Sequence, residues 1–325
     1  MRATRGFTLL ELLAASAIAV VLVGLILTVM STALGLWRRG QGDVAVAADA
    51  GTVLAMLERD LESAGPAPGG EAWLAVDLAP GTGELGNRGW VRGARMKPGG
   101  ETSLRPLPPA RPGTGADLTD ARFGLSGARL RLLTVTAESS AEPALPRVVA
   151  WQIARRPVTG PVTPANPAPV RYVLFRSAIG AEETFLRGAD VTAPAWASSA
   201  EAPAGTRAPS TIANPAVSDA VITNVIDFGV WLHRRAQTGE LERIFPTDAH
   251  DVAHAAAAEA GGWPDTVDVL LRVLSEEGAR QLELIETGRL ARPPAYAADD
   301  AWWWAVAEEN SRVMVRRVEL KGARP

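Results

Sequence analysis

From Leu12 to Trp37 the chain contains no Asp, Glu, Lys, Arg or His. At about 1.5 Å of rise per residue, a helix over that run outspans a hydrocarbon core of roughly 30 Å. A stretch this long and apolar constrains the fold more than any other feature, because it must lie in lipid or against other apolar helices. One carboxylate, Glu11, stands at its mouth within RGFTLLELL, residues 5–13. An ionised acid near hydrocarbon costs about 2.5 to 3.5 kcal/mol on insertion scales, so Glu11 needs a cationic partner.

Three readings of this terminus compete. A secretory signal has a basic start, a short apolar centre and a small-residue cleavage site, and Ala15-Ser16-Ala17 offers such a site. Yet the apolar run continues well past it, and Glu11 would fall inside the signal's own apolar centre. A plain signal anchor fits the length, with Arg2 and Arg5 holding the short end in the cytoplasm. It leaves Glu11 without a role.

The third reading gives Gly6 and Glu11 a role together. Arg5-Gly6-Phe7-Thr8-Leu9-Leu10-Glu11 resembles the class III prepilin leader of type IV pilins and of the pseudopilins of type II secretion systems. The resemblance implies that a membrane prepilin peptidase cuts between Gly6 and Phe7 and N-methylates Phe7. Glu11 is then the fifth residue of the mature chain, within about one helical turn of the new ammonium. It further implies that helices staggered in a bundle set Glu11 of one subunit against the Phe7 amine of the next, each neutralising the other.

Beyond the apolar run, residues 38–65 keep helical spacing, with Val44, Ala47, Leu54, Leu57 and Leu61 on one stripe and Asp49, Glu58, Arg59 and Glu62 elsewhere. Gly65 and Pro66 supply a stop. Glycines at 35, 40 and 42 suggest local melting or bending of the helix there. Glycine and proline then crowd residues 66–115, with short strands expected at AWLAVDL and GWVRG. Strands are expected at ARLRLLTV, RVVAWQI and VRYVLF. Two more alternate cleanly, Ile226-Phe228-Val230-Leu232 and Val267-Val269-Leu271-Val273, which implies antiparallel sheet with one face covered. SEEGARQL reads as a helical turn, and RVMVRRVEL as a closing strand with a bulge near Arg316-Arg317. Residues 156–169 and 192–211 read as exposed Pro-rich loops.

The later strands also resemble the ending of J-type minor pseudopilins, while minor pilins of the W class end similarly. The fold expected from this resemblance is α+β: a long N-terminal transmembrane helix packed on an antiparallel head of two sheets. The expected division is leader 1–6, transmembrane assembly helix 7–37, amphipathic half 38–65 and β-rich head 66–325.

Other chemistry finds little support. Gly81-Thr82-Gly83-Glu84-Leu85-Gly86 spells GxGxxG, but Pro80 precedes it where a nucleotide cradle needs a strand. His250 and His254 lie four apart with Asp251 between, one face of a helix if the insertion around 245–262 is helical, a near miss to the HExxH zinc motif and at most a weak metal site. His233 is expected on the outward face of its strand. Trp302-Trp303-Trp304, read as strand, puts at least one ring in the core and leaves an exposed member as a candidate partner contact. The absence of cysteine excludes disulfides and thiolate metal sites. A formal charge of −3 with no basic run speaks against nucleic acid.

The expectation is therefore a structural protein, not an enzyme and without cofactor: a minor pseudopilin of an inner-membrane-anchored pseudopilus tip, its N-terminus cytoplasmic and its head periplasmic. Its expected partners are the prepilin peptidase, other pseudopilins or pilins, the inner-membrane assembly platform and membrane lipid. A minor pilin of a type IV pilus shares every N-terminal feature, and a membrane-anchored metalloenzyme is the alternative of a different class.

Overall fold

The computed structural model describes residues 9–78, 128–136, 144–157, 170–193, 196, 212, 215, 217–247, 253–257, 263–286, 288–297 and 299–321. It divides into two units, Met1–Ala45 and Val46–Pro325. Helix α1, Leu9–Glu62, contributes to both. It runs through Gly35, Gly40 and Gly42 as unbroken helix, so the expected local melting does not occur.

The second unit holds two antiparallel sheets. Six strands, β1 Leu74–Leu78, β2 Ala128–Thr136, β3 Leu145–Pro157, β4 Val170–Ala178, β5 Ala220–Thr223 and β8 Ala253–Ala256, form one in the order β5-β4-β3-β2-β1-β8. Four strands, β6 Val225–Arg235, β7 Leu241–Phe245, β9 Thr266–Leu274 and β10 Ser311–Glu319, form the other in the order β10-β9-β6-β7. Among the described residues it also holds three short α-helices: α2 Ala181–Arg187, α3 Glu276–Glu286 and α4 Asp299–Glu309. The architecture is α+β, two antiparallel sheets with an N-terminal helix.

Periodicity explains most of the core. Ile226, Phe228, Val230 and Leu232 of β6 and Val267, Val269, Leu271 and Val273 of β9 are all buried in one cluster. Leu130, Leu132, Val149 and Trp151 from the larger sheet join it. So do Ala50, Val53, Leu54, Leu57 and Leu61 of α1. Ala47, expected on that stripe, is exposed, and Ala50 and Val53 hold the core positions instead. Strand β9 is buried at every position, so the expected half-covered pattern fails there. Across its second face Asp268 bonds Arg317 and Arg272 bonds Ser311.

Other local expectations change. The β9–β10 register is continuous from Ser311↔Leu274 to Glu319↔Thr266, so no bulge occurs at Arg316-Arg317. Register shifts fall instead opposite Leu232/His233, where β7 carries the extra residue Ile244, opposite Leu174/Phe175, where β5 carries Val221, and between Val225 and Asp227, where β6 carries Ile226 against β9. SEEGARQL opens a full helix, α3, with the Ser275 hydroxyl accepting from Gly278 N–H at 3.1 Å as an N-cap.

Candidate assembly site

The cleavage and methylation residues Gly6 and Phe7, with Arg2 and Arg5, lie outside the described residues. Glu11 lies on α1, whose helical periodicity begins at Leu9. The first unit shows its chemistry over Ser16–Ser31. Ile18, Val20, Val21, Leu22, Val23, Leu25, Ile26, Leu27, Val29 and Met30 are each 55–71% exposed. Successive residues turn by about 100°, so these side chains cover the whole circumference. A helix apolar all round is stable only when something apolar surrounds it. Its hydroxyls are satisfied internally: Ser16 donates to Leu13 O at 2.9 Å, Thr28 to Gly24 O at 2.9 Å and Ser31 to Thr28 O at 2.8 Å. That arrangement spares each hydroxyl an unpaired donor in an apolar medium. Among the described residues no helix is long and apolar enough to cross a membrane.

In the second unit, the last turns of α1 are fastened by charge as well as by apolar packing. Asp60, 2% exposed, accepts from Trp151 Nε1 at 2.8 Å, Arg176 Nε at 2.7 Å and Arg176 Nη2 at 2.7 Å. Trp151 and Arg176 are cross-strand neighbours on β3 and β4, so both reach one carboxylate from the same sheet face. Three donors compensate an acid that burial would otherwise penalise heavily. Two exposed ion pairs tie α1 to the end of the other sheet: Arg316 to Glu58 at 2.6 Å and Lys321 to Glu62 at 2.7 Å. Glu62 raises the Lys321 pKa above its ordinary value. Sequence reading missed Asp60, though its spacing of three from Leu57 and seven from Val53 places it on the apolar stripe.

The remaining candidates sit elsewhere. Trp302, Trp303 and Trp304 lie on helix α4, not a strand, and all are buried, at 4%, 0% and 3% exposed. None stands open as a partner contact, because Trp303 packs edge-on against Tyr172 and Trp304. His254 lies on strand β8 with its ring 5.6 Å from Phe245, not on a helix, and His250 is outside the described residues. The expected helical His250/His254 face is thereby lost. Among the described residues no group of three or more metal-ligating side chains comes together. His233 lies on the β6 face opposite Leu232, as strand alternation expects, but that face is covered and the side chain is buried: its neighbours there are Trp231 and Asp268, with Nδ1 3.8 Å from Asp268 Oδ2. Burial lowers its pKa, with Arg317 and Arg243 adding to the effect and Asp268 opposing it. Arg317 grips the same Asp268 through two bonds of 2.6 Å. The GxGxxG at 81–86 and GWVRG lie outside the described residues.

Residues 1–27 match the family model described as the prokaryotic N-terminal methylation motif. No curated protein matches the chain. Among solved structures it is similar to a type IV-like pilin from Thermus thermophilus, at 11% identity and a TM-score of 0.30, over 85% of this chain and 95% of that one. The chain thus carries, at its N-terminus, the class III prepilin-type methylation motif of pilins and pseudopilins.

Proposed function

We propose that the protein is a structural subunit of a filament of the pilin type, and specifically a minor pseudopilin of a type II secretion-like pseudopilus tip. The observation that carries this reading is the methylation motif over residues 1–27, with Gly6, Phe7 and Glu11 spaced as the prepilin leader requires. The apolar circumference of α1, with its hydroxyls bonded back to the helix, supports it, since such a surface suits lipid first and sister helices afterwards. In this reading Leu12–Trp37 is the single inner-membrane span, Arg2 and Arg5 keep the leader cytoplasmic, and the two-sheet head is periplasmic. A prepilin peptidase removes Met1–Gly6, and Glu11 pairs with the Phe7 ammonium of a neighbour. The role is architectural, with no reaction and no cofactor.

Mass spectrometry of the native chain tests the root of this reading by asking for N-methylated phenylalanine as first residue. A chain that keeps its leader beside an active peptidase overturns it, as does normal processing of Gly6→Ala. Glu11→Leu is expected to be cleaved normally yet lose co-purifying sister subunits. Recovery with secretion-system pseudopilins supports the finer assignment, recovery with pilus subunits makes the chain a type IV minor pilin, and stoichiometric zinc lost on His250→Ala would make it an enzyme.

A further inference from the structure

On the face of β6 opposite Leu232, one buried base stands among cations. His233 is 8% exposed, and its Nδ1 has no hydrogen-bond partner. The nearest acid, Asp268 of β9, lies 3.8 Å from Nδ1, but each of its oxygens already accepts from Arg317 of β10 at 2.6 Å. Across the strand pair His233 faces Arg243 of β7, whose guanidinium stacks 4.6 Å over the ring of Trp231. Arg235, two residues along β6, has its guanidinium 3.9 Å from Glu319, and its N–H donates to Asp265 at 2.6 Å. Protonating His233 therefore gathers a third cation, beside Arg243 and Arg317, around one carboxylate that is already taken. Burial holds its pKa below the ordinary value, Arg317 and Arg243 add to the effect, and Asp268 opposes it.

Of the strands around His233, β7 is held least. It is an edge strand of five residues whose ladder is to β6, and Ile244 interrupts the register between Arg243 and Phe245. Phe245 is buried and anchors the far end, while Leu241, Glu242 and Arg243 are half-buried or exposed. Strand β10, by contrast, pairs with β9 from Ser311 to Glu319 without a break, and Arg317 is gripped twice by Asp268. We propose that protonation of His233 releases Leu241–Arg243 from β6, hinging at the Ile244 bulge, so that the edge of the smaller sheet opens in acid. Release carries Arg243 away from His233 and lets water reach the ring, while Asp268 stays with Arg317. The open form takes up the proton near the ordinary value of about 6.5 and the closed form only below it. The opening constant is therefore level above about pH 6.5 and rises as pH falls, by at most about ten-fold per unit, until the closed form is protonated too. What the release uncovers is the backbone edge of β6 at 233–235, a row of N–H and C=O groups open to another strand. The inference rests on the fold and is independent of the function proposed above.

The test is amide hydrogen exchange of the whole chain in detergent, read by mass spectrometry at pH 7 and pH 5 with intrinsic amide rates divided out. Peptides covering 236–245 report the opening of β7, and peptides from β2 and β3 serve as the reference. In the parent, opening of 236–245 should rise at the lower pH, by no more than about ten-fold per unit, while the reference peptides stay level. His233→Gln, which cannot take up the proton, should abolish the rise. Arg243→Gln keeps His233 and removes the opposing cation from a half-buried edge position, so it should fold and show a smaller rise. Three results would each overturn the inference: no rise in the parent, the same rise in both variants, or a rise of equal size in every peptide, which would mean that His233 acts only through unfolding of the whole unit.

Discussion

Gly278, in the first turn of α3, is a glycine whose replacement should reverse the usual sign of a helix substitution. A Cβ built there meets Asn310 Cβ at 2.5 Å, Asn310 O at 3.1 Å and Leu274 Cδ2 at 3.3 Å. Carbon atoms pack comfortably at about 3.5 to 4.0 Å, so α3 and the start of β10 must part by about 1 Å. Parting them is costly because Asn310 O accepts from Ser275 N at 2.8 Å and Asn310 Nδ2 donates to Val306 O at 2.9 Å, both at this junction. Overpacking of this kind costs about 1 to 3 kcal/mol, against at most about 1 kcal/mol gained from helix propensity. The expected net effect of Gly278→Ala is a loss of about 1 to 2 kcal/mol. Gly51→Ala is the internal control: it lies on α1 with nothing within 4 Å of the new methyl, so it should gain up to about 1 kcal/mol. Urea unfolding of the detergent-solubilised chain, followed by tryptophan fluorescence, measures both through the midpoint at constant m. Asn310→Gly in the Gly278→Ala background removes the closest clash and should recover part of the loss. If Gly278→Ala stabilises the protein as much as Gly51→Ala does, the close-approach argument is wrong.

Asp60→Ala takes the acceptor from a buried indole N–H and the paired carboxylate from a guanidinium that is only 24% exposed, and should cost about 3 kcal/mol, the lower end for breaking a buried pair, by the same urea assay. Charge removal at the exposed pairs, Glu58→Gln or Glu62→Gln, should change stability by less than about 1 kcal/mol, and an effect above that would show the straps to β10 to be stronger than exposed pairs are. Because the His233 pKa is lowered by folding, the unfolded chain takes up this proton first as pH falls. The contribution of His233 to stability is then complete above the unfolded value near 6.5 and diminishes as pH falls below it, at no more than about 1.4 kcal/mol per pH unit. His233→Gln should flatten the difference between the pH 7 and pH 5 unfolding curves, and an unaltered difference would place its origin elsewhere.

Strands β6 and β9 were legible because apolar, largely β-branched residues recur at period two along each, although burial does not follow that period and β9 is covered on both faces. Trp302–Trp304 misled for a physical reason. Tryptophan favours strands, but Asp299 and Asp300 favour a helix N-terminus, and the surroundings of this helix bury Trp302, Trp303 and Trp304 together while Glu308 and Glu309 stay exposed. Strand β8, Ala253–Ala256, has almost no β propensity of its own. It exists because Leu74–Asp77 of β1 pairs with it, which no local pattern announces. His233 misled because the face it shares with Trp231 is covered by that ring and by the Asp268–Arg317 pair, which strand alternation does not announce.

The two acids on α1 show why one half of the candidate site was legible and the other was not. Glu11 stands out because no charged residue follows it until Arg38, so an acid beside that run is conspicuous and its partner must come from outside the helix. Asp60 sits in LERDLE among Glu58, Arg59 and Glu62, where charge is expected on a solvated face. Only its phase on the helix distinguishes it, since Val53, Leu57 and Ala64 lie three, four or seven residues away and all are buried. The same rule applies at both ends: a carboxylate is kept in an apolar setting where it meets a specific cation. At Asp60 that cation is Arg176 of the same chain, fixed by a strand. At Glu11, in the proposed assembly, it is an amine that exists only after cleavage and only on a neighbour. The first interaction therefore acts on folding of each subunit and the second on joining subunits, so Asp60→Ala should alter unfolding of the isolated chain while Glu11→Leu leaves it unchanged and alters partner recovery alone.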